Sequence, residues 1–400
     1  MSRRRKFKKK KRPPPTGIQR PGRYIGNEWN LADPPENPRL RVVLCYPDVY
    51  EIGMSHLGLQ VLYQVLRDQP DVAVERVFAP WPDKEKELRE SGQPLQTLEN
   101  RKPINQCDLL CFTLPHELAY TNILNILDLA GIPLESKDRT QTAPDDTSSD
   151  RSHMPVILGG GIGVMNPLPI APYMDALFFG EAESGLLDIL NVLRESKDRN
   201  HRLCKLNELP GLYLPELHSG NSANEVTTTV TKQIVEKFDS APRPDPQLVP
   251  YCRPVHERVV VETARGCPRA CRFCQARVYY SPVRQRTPGT VKKIIKENLA
   301  QTGYEEVSLL SLNIADYPGI ESLIVELMDD LNHRNISVSL PSLRPEKLTE
   351  GVIEQIRKVR KTGFTLAPEA GTDRLRKVIG KPYPREKLLE SIAAIFSAGW

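Results

Sequence analysis

The stretch Val259-Val-Val-Glu-Thr263-Ala-Arg-Gly-Cys267-Pro-Arg-Ala-Cys271-Arg-Phe-Cys274 decides how the chain is read. Val259–Thr263 is short, β-branched and apolar, the composition of a buried strand. Gly266 breaks it, and three cysteines then follow within eight residues at CxxxCxxC spacing. Thiolates are soft ligands that suit iron–sulfur clusters, zinc or copper. Structural zinc sites close with four ligands, often as two CxxC pairs. Here no fourth Cys or His follows nearby, and Cys252 and His256 lie upstream, toward the opposite end of the strand. Three thiolates around a four-iron cluster leave one iron open to chelate a small molecule and pass it an electron. The spacing favours iron–sulfur over zinc.

Downstream of the motif, strands and helices alternate. Helices are expected at Thr290–Gln301, Ile320–Asn332, Thr349–Arg360 and Arg385–Ala398, and strands at Glu306–Leu312, Ser337–Leu340 and Phe364–Ala367. With Val259–Thr263 this makes four βα units in barrel-like order. Upstream, strands are expected at Leu40–Tyr46, Ala73–Phe78, Asp108–Thr113, Val156–Leu158 and Ala176–Phe179. The helices between them are a Ser55-capped one to Arg67, Lys84–Ser91, Tyr120–Ala130 and one ending near Arg194. That alternation implies a parallel sheet covered on both faces, with ligands at the carboxyl ends of its strands. Glu135–His153 reads as a solvated insertion. Gly211–His256, proline-rich with a Thr-rich strand at Val226–Thr231, reads as a connection with a small hairpin. The expected division is 1–38 basic arm and extended leader, 39–210 doubly wound Rossmann-like domain, 211–257 linker, and 258–400 partial barrel.

The composition agrees with two folded bodies. At 400 residues, 39% hydrophobic and 26% charged, the chain can bury cores, which excludes wholesale disorder. No apolar run approaches the roughly 18 residues of a membrane span, and charges and prolines follow the basic start directly, so a cytoplasmic protein is expected. The net charge of +5 is local: nine Lys or Arg fall in Met1–Arg12, and the remainder carries −4. This arm is either an RNA-contacting segment acting on phosphate charge or a solubilising tail. Of the eight cysteines, Cys45, Cys107, Cys111, Cys204 and Cys252 are scattered and read as small hydrophobes.

The cysteine motif resembles that of the radical S-adenosylmethionine (SAM) superfamily, where CxxxCxΦC holds a 4Fe-4S cluster and Φ is an aromatic residue near the adenine; Phe273 fills that place. The resemblance implies an enzyme that cleaves SAM reductively, with an external electron donor such as flavodoxin or ferredoxin. The family's GGE motif is absent, and Ser311 and Asn313 stand where it would hold the SAM amino group. Glu369, after the expected fourth strand, matches a ribose-binding position; the alternative is a helix N-terminal acid. Arg374 and Arg376 either pair with the SAM carboxylate or face solvent.

In the first domain, Asp48-Val-Tyr50-Glu-Ile-Gly53 resembles the DxHxxG of cobalamin-binding domains, with Tyr50 where the cobalt-ligating His stands. Thr113-Leu114 resembles the SxL, and Gly159-Gly160 the GG, of those domains. Cobalamin without His ligation is therefore expected. His56 and His116 near these strand ends are read as structural. Arg20–Asn30 and the run up to Asp316-Tyr317 resemble uncharacterised cobalamin-binding-domain radical SAM proteins, over nearly the whole chain. That family implies methylation or rearrangement of an unknown substrate. Two alternatives stand beside it: an iron–sulfur sensing or RNA-binding protein, and a tRNA methylthiotransferase-like enzyme. Barrels of this type have six βα units, so the chain is also expected to be C-terminally truncated or to need a partner chain.

Overall fold

In a computed structural model, residues 17–140, 154–218, 229–341, 350–360, 363 and 365–400 are described. The first body is a six-stranded sheet in the order β2-β1-β3-β4-β5-β6. Its strands are β1 (Leu40–Tyr46), β2 (Val72–Phe78), β3 (Leu109–Thr113), β4 (Val156–Gly160), β5 (Ala176–Phe178) and β6 (Leu212–Tyr213). All pair in parallel except β6, which runs antiparallel to β5. The period of two along β1 shows why both faces are covered. Leu40, Val42, Leu44 and Tyr46 enter one core cluster, with residues of α2 (Leu57–Arg67) and α6 (Ala182–Glu195). Val43 and Cys45 enter the other, with α3 (Pro82–Ser91) and α4 (Tyr120–Leu129). The order reverses between β1 and β3, the switch point at which doubly wound sheets open a crevice. The short α1 (Tyr50–Gly53) follows β1 at that crevice.

Several expectations are corrected here. The insertion after Glu135 begins with a helix, α5 (Ser136–Thr140), which buries Ser136 and Arg139. Their partner is the buried Asp175, 2.8 Å from Arg139 and 2.7 Å from Arg199 of α7 (Arg199–Leu206). The remainder, 141–153, lies outside the described residues. The connection after Gly211 contributes β6 and α8 (Pro215–His218) to the first body. Residues 226–228 of the Thr-rich strand lie outside the described residues, and Thr229–Thr231 form no strand. The leader is more than an extended segment: Pro21–Tyr24 is a 3-10 turn, and Arg23 and Glu28 are buried.

The second body is a three-stranded parallel sheet, β11-β10-β7, beside a two-stranded antiparallel β8-β9 ribbon. Its elements are β7 (Val259–Glu262), β8 (Ala264–Arg265), α9 (Ala276–Tyr279), β9 (Arg284–Gln285), α10 (Pro288–Thr302), β10 (Glu306–Leu310), α11 (Ile320–Leu331), β11 (Ser337–Ser339), α12 (Glu350–Arg357), α13 (Asp373–Val378) and α14 (Arg385–Ser397). Val259, Val261, Val307, Leu309 and Val338 pack under α10, α11 and Ile356 of α12. Of the fourth strand expected at Phe364–Ala367, Phe364 is outside the described residues and Thr365–Ala367 are not in a strand. Among the described residues no helix is long and apolar enough to cross a membrane.

The cap of α2 is His56, not Ser55. His56 Nδ1 accepts the Leu59 N–H at 3.1 Å, while Ser55 Oγ donates to the Glu51 carbonyl and accepts from His256 N–H. Burial lowers the His56 pKa to about 4. The folded protein therefore keeps His56 neutral, whereas the unfolded chain protonates it near 6.5. Stability from this site is complete above pH 6.5 and is lost as pH falls toward 4. His56→Asn retains a capping acceptor and is expected to flatten the fall in the urea midpoint between pH 7 and 5. An unchanged slope in the variant assigns that fall to other groups.

Candidate active site at the carboxyl ends of the strands

The three cysteines lie on the loop between β8 and α9, each half-buried. Burial pushes the Cys267 thiol up; the Arg269 amide opposes this, and nearby Asp316, Cys271 and Cys274 add to it. Among the described residues no three His, Cys, Asp or Glu side chains converge as ligands of one ion. A four-iron cluster sets a different requirement, because each thiolate binds its own iron and the thiols stand apart around the cubane. The loop is held from the far side. Arg272 N–H donates to the Ile379 carbonyl at 2.8 Å. A Cβ on Gly380 would stand 2.3 Å from the Ala270 carbonyl oxygen, so only glycine lets the end of α13 press on the cysteine loop.

Asn313 and Asp316 follow β10 beside this loop. Arg269, between the first two cysteines, grips Asp316 through Nε at 2.6 Å and through Nη2. Asn313 Nδ2 donates to the same carboxylate. A carboxylate only accepts, so the amide must turn its NH2 toward it. Asn313 Oδ1 is thereby turned away, buried and without a hydrogen-bond partner among the described residues. Ser311 Oγ accepts the Asn313 N–H at 3.0 Å and holds the turn. Buried acceptors are rarely left unpaired, and this one is suited to a ligand N–H. Asp316 falls in the stretch that carries the family likeness; its pairing with Arg269 has no local sequence signal.

Phe273 is 57% exposed, leaving an aromatic face open on the same loop. Glu369 sits in the left-handed region at φ 62. Its carboxylate pairs with Lys381 Nζ at 3.0 Å, and Lys381 also donates to the Ala367 carbonyl at 2.7 Å. The alternative of a helix N-terminal acid fails, because α13 starts later with Thr372 as its cap. Arg376 does neither of the things expected of it. It is buried, donates to the Tyr383 and Ala370 carbonyls at 3.1 and 2.8 Å, and stacks on the Tyr383 ring at 5.0 Å. Arg374 is exposed.

At the crevice of the first sheet, Thr113 ends β3 opposite Gly160, and Leu114 N–H donates to the Gly160 carbonyl at 2.6 Å. The two glycines differ. A Cβ on Gly159 would meet Leu177 Cδ2 at 2.7 Å, so this residue serves packing; a Cβ on Gly160 would meet nothing within 4 Å, so its backbone faces open space. The loops that follow carry exposed Leu118 and Leu168. Asp48 accepts the Val49 N–H at 2.7 Å and shapes the turn after β1. Tyr50 points elsewhere. Its ring packs edge-on against Phe78 of β2 at 5.3 Å, and its hydroxyl donates to Glu28 of the leader at 2.9 Å. Gly53 is required by that packing, since a Cβ there would stand 2.2 Å from Phe78 Cε1. Sequence position brings Tyr50 and Gly53 to the crevice with Asp48, Thr113 and Gly160; tertiary structure turns the phenol away from it. His116 is exposed beside the crevice.

Comparison with known proteins matches two family profiles to the chain. The profile of the Radical SAM superfamily matches residues 261–400, and that of Radical SAM proteins, N-terminal, matches 58–215. The chain belongs to the radical SAM superfamily. It is 26% identical over 354 residues to the uncharacterised protein MJ0966 of Methanocaldococcus jannaschii, covering 88% of this chain and 65% of that one. It is 27% identical over 161 residues to the tRNA-2-methylthio-N(6)-dimethylallyladenosine synthase of Staphylococcus epidermidis, covering 38% of this chain and 30% of the synthase. The chain thus spans less than two thirds of the length of these curated relatives. In fold it resembles TsrM, a radical SAM methyltransferase of Kitasatospora setae solved with cobalamin and a [4Fe-4S] cluster, with TM-score 0.60, 17% identity, and coverage of 90% of this chain and 67% of TsrM.

Proposed function

We propose that this chain forms the cofactor-binding part of a radical SAM enzyme of the cobalamin-binding kind, acting by methylation or rearrangement on an unreactive carbon of an unknown substrate. The division follows the two bodies: the first, from β1 to α8, holds cobalamin, and the second, 258–400, holds cluster and SAM. The observation that carries the reading is the buried, unpartnered Asn313 Oδ1, fixed by Asp316 and Arg269 next to three half-buried cysteine thiols. Cys267, Cys271 and Cys274 would hold the cluster, Asn313 and Ser311 would orient the SAM amino group, and Phe273 and Glu369 would line its nucleoside. Bound there, the cluster supplies the electron that splits the SAM sulfonium, and cobalamin in the crevice supplies a methyl carrier. Lys381 holds the Glu369 carboxylate in place, and the packing of α13 on the cysteine loop helps keep water out.

Gly160, Thr113 and Asp48 line the cobalamin crevice. With Tyr50 bonded to Glu28, its phenol is unavailable to cobalt. The bound corrinoid is expected to be base-off and free of imidazole hyperfine splitting in its cob(II)alamin spectrum. The methylthiotransferase alternative fits less well. Burial raises the Cys45 thiol and pushes Cys111 up to about 12 inside β1 and β3, which leaves them poor candidates for a further cluster. The electron donor is an external one such as flavodoxin or ferredoxin, the location is the cytoplasm, and the basic arm either meets RNA phosphates or keeps the chain in solution.

Anaerobic reduction with SAM tests the reading: 5′-deoxyadenosine or S-adenosylhomocysteine should form, and formation of neither would refute it. Gly160→Val should weaken cobalamin binding about tenfold, roughly 1.4 kcal/mol, without moving the thermal midpoint, because the added carbons enter open space. Unchanged binding would remove Gly160 from the site.

A further inference from the structure

Arg265 ends β8, two residues before Cys267, and its side chain reaches from the second body to the first. Nε and Nη2 reach Glu262 at 2.9 and 2.8 Å. Nη2 also reaches Glu183 at 2.8 Å, and Nη1 lies 3.2 Å from Glu181. Glu183 opens α6, and Glu181 follows Gly180 at the carboxyl end of β5, so both belong to the carboxyl edge of the first sheet. The guanidinium lies over the Phe238 ring at 5.0 Å. Directly opposite in the ribbon stands Arg284. Two cations facing each other across strands repel, and Glu181 resolves this by accepting from Arg284 at 2.7 and 2.6 Å while facing Arg265. Glu181 also accepts the Val235 N–H at 2.6 Å. Tyr279, at the end of the cysteine loop's helix, donates its hydroxyl to the Gly180 carbonyl at 3.0 Å. Gly266, at φ 90, passes so close to the Tyr280 and Pro282 carbonyls that a Cβ would stand 2.7 and 2.8 Å from them. The loop that carries Cys267 is therefore fastened on one side to its own ribbon and on the other to the first sheet.

Such a buried cluster holds only while complete. Removing the central cation leaves Glu183 and Glu262 without their ion pair to it and Glu181 with Arg284 alone, in a place largely shielded from water where like charges push apart. We propose that Arg265 is a positioning residue that sets the distance between the crevice of the first sheet and the cysteine loop, and so between the two cofactors. The cofactor half of this statement rests on the function proposed above; the mechanical half does not.

Two measurements separate them. Hydrogen exchange on the full chain without cofactors reads the joint directly. Arg265→Gln should speed exchange in 179–184 and 262–267 about tenfold, as a local opening does, and leave 40–46 and 109–113 unchanged. Exchange like wild type in both segments would overturn the proposal, and so would faster exchange everywhere, which marks a general stability role. In the chain loaded with iron, sulfide, SAM and cob(II)alamin, pulsed electron paramagnetic resonance gives the distance between reduced cluster and cobalt. Arg265→Gln should broaden that distribution while iron content stays within twofold of wild type, and Arg265→Lys, which restores the charge, should narrow it again. A distribution as narrow in Arg265→Gln as in wild type would refute positioning, and loss of the iron would reassign Arg265 to cluster assembly. If wild type takes up no cobalamin, the proposed function loses its cobalamin half, and the exchange comparison still decides the joint. Should Arg265→Gln fail to fold, Glu183→Gln removes one of the three carboxylate partners and carries the same comparisons.

Discussion

Replacing Cys267, Cys271 and Cys274 together with alanine is expected to take the iron of the anaerobically reconstituted chain from about four atoms to none, with loss of its broad visible absorbance. SAM cleavage should fall to the uncatalysed background. The size of the effect follows from the ligand count. A cluster with three protein thiolates has no spare attachment, and the scattered cysteines lie elsewhere: Cys45, Cys107 and Cys111 in the first body, Cys204 on α7 and Cys252 beside Gly22 of the leader. The fold should survive, because the three side chains sit half-buried on a loop and none belongs to a core cluster. A thermal midpoint within a few degrees of wild type serves as the control. A triple variant that keeps its iron would show that the cluster is held elsewhere.

Arg76→Met is expected to cost about 3–5 kcal/mol of stability, the scale of breaking a buried ion pair by removing one partner. Arg76 is 1% exposed on β2. It meets Glu28 of the leader at 2.6 Å and Glu99 at 2.6 Å, rests on Met54 Sδ at 3.0 Å, and lies over the Tyr63 ring at 5.4 Å. Methionine fills the space and supplies no charge, so two buried carboxylates lose their cation. Burial pushes the Glu28 carboxyl up, but the Arg76 charge and its hydrogen bonds outweigh this and hold it below the ordinary value. In wild type Glu28 therefore adds stability above its unfolded pKa near 4.3, and this is lost as pH falls through the folded value. In Arg76→Met burial acts unopposed and that pKa rises. The deficit against wild type should accordingly be largest at pH 7 and shrink toward pH 5, where the orphaned carboxylates take up protons. Urea midpoints at the two pH values read it out. Adding Glu28→Gln to Arg76→Met should recover part of the loss. A deficit under about 1 kcal/mol, the level of an exposed pair, would show that the network carries little. Faster proteolysis near residues 20–30 should accompany the deficit, because Glu28 anchors the leader.

The elements and the site differ in how far each could be read from residue order. β1 was expected at Leu40–Tyr46 and is found there, since a strand buried on both faces leaves a continuous apolar run. α10, α11 and α14 were placed to within two residues by their apolar period. The cysteine loop and the glycines at the end of β4 were legible for a similar reason, as spacing and residue type are local properties. β6 was not, because two residues record no period. Nor was the missing strand at Thr365–Ala367, whose apolar run looks like that of its neighbours.

The polar partners lay beyond the sequence altogether. Tyr50 occupies a ligand's position by spacing, yet Glu28, 22 residues earlier in the chain, takes its hydroxyl. Arg376 looked like a solvent or ligand residue and is buried on Tyr383. Arg265 carries no mark in the sequence and joins two bodies. By itself the sequence determined where apolar surface must be buried and which thiols fall on one loop. Only the tertiary structure decided which charges meet. Burial of apolar area leaves a periodic trace along each element, whereas an ion pair is made between positions of any separation, and a buried arginine is written with the same letter as an exposed one.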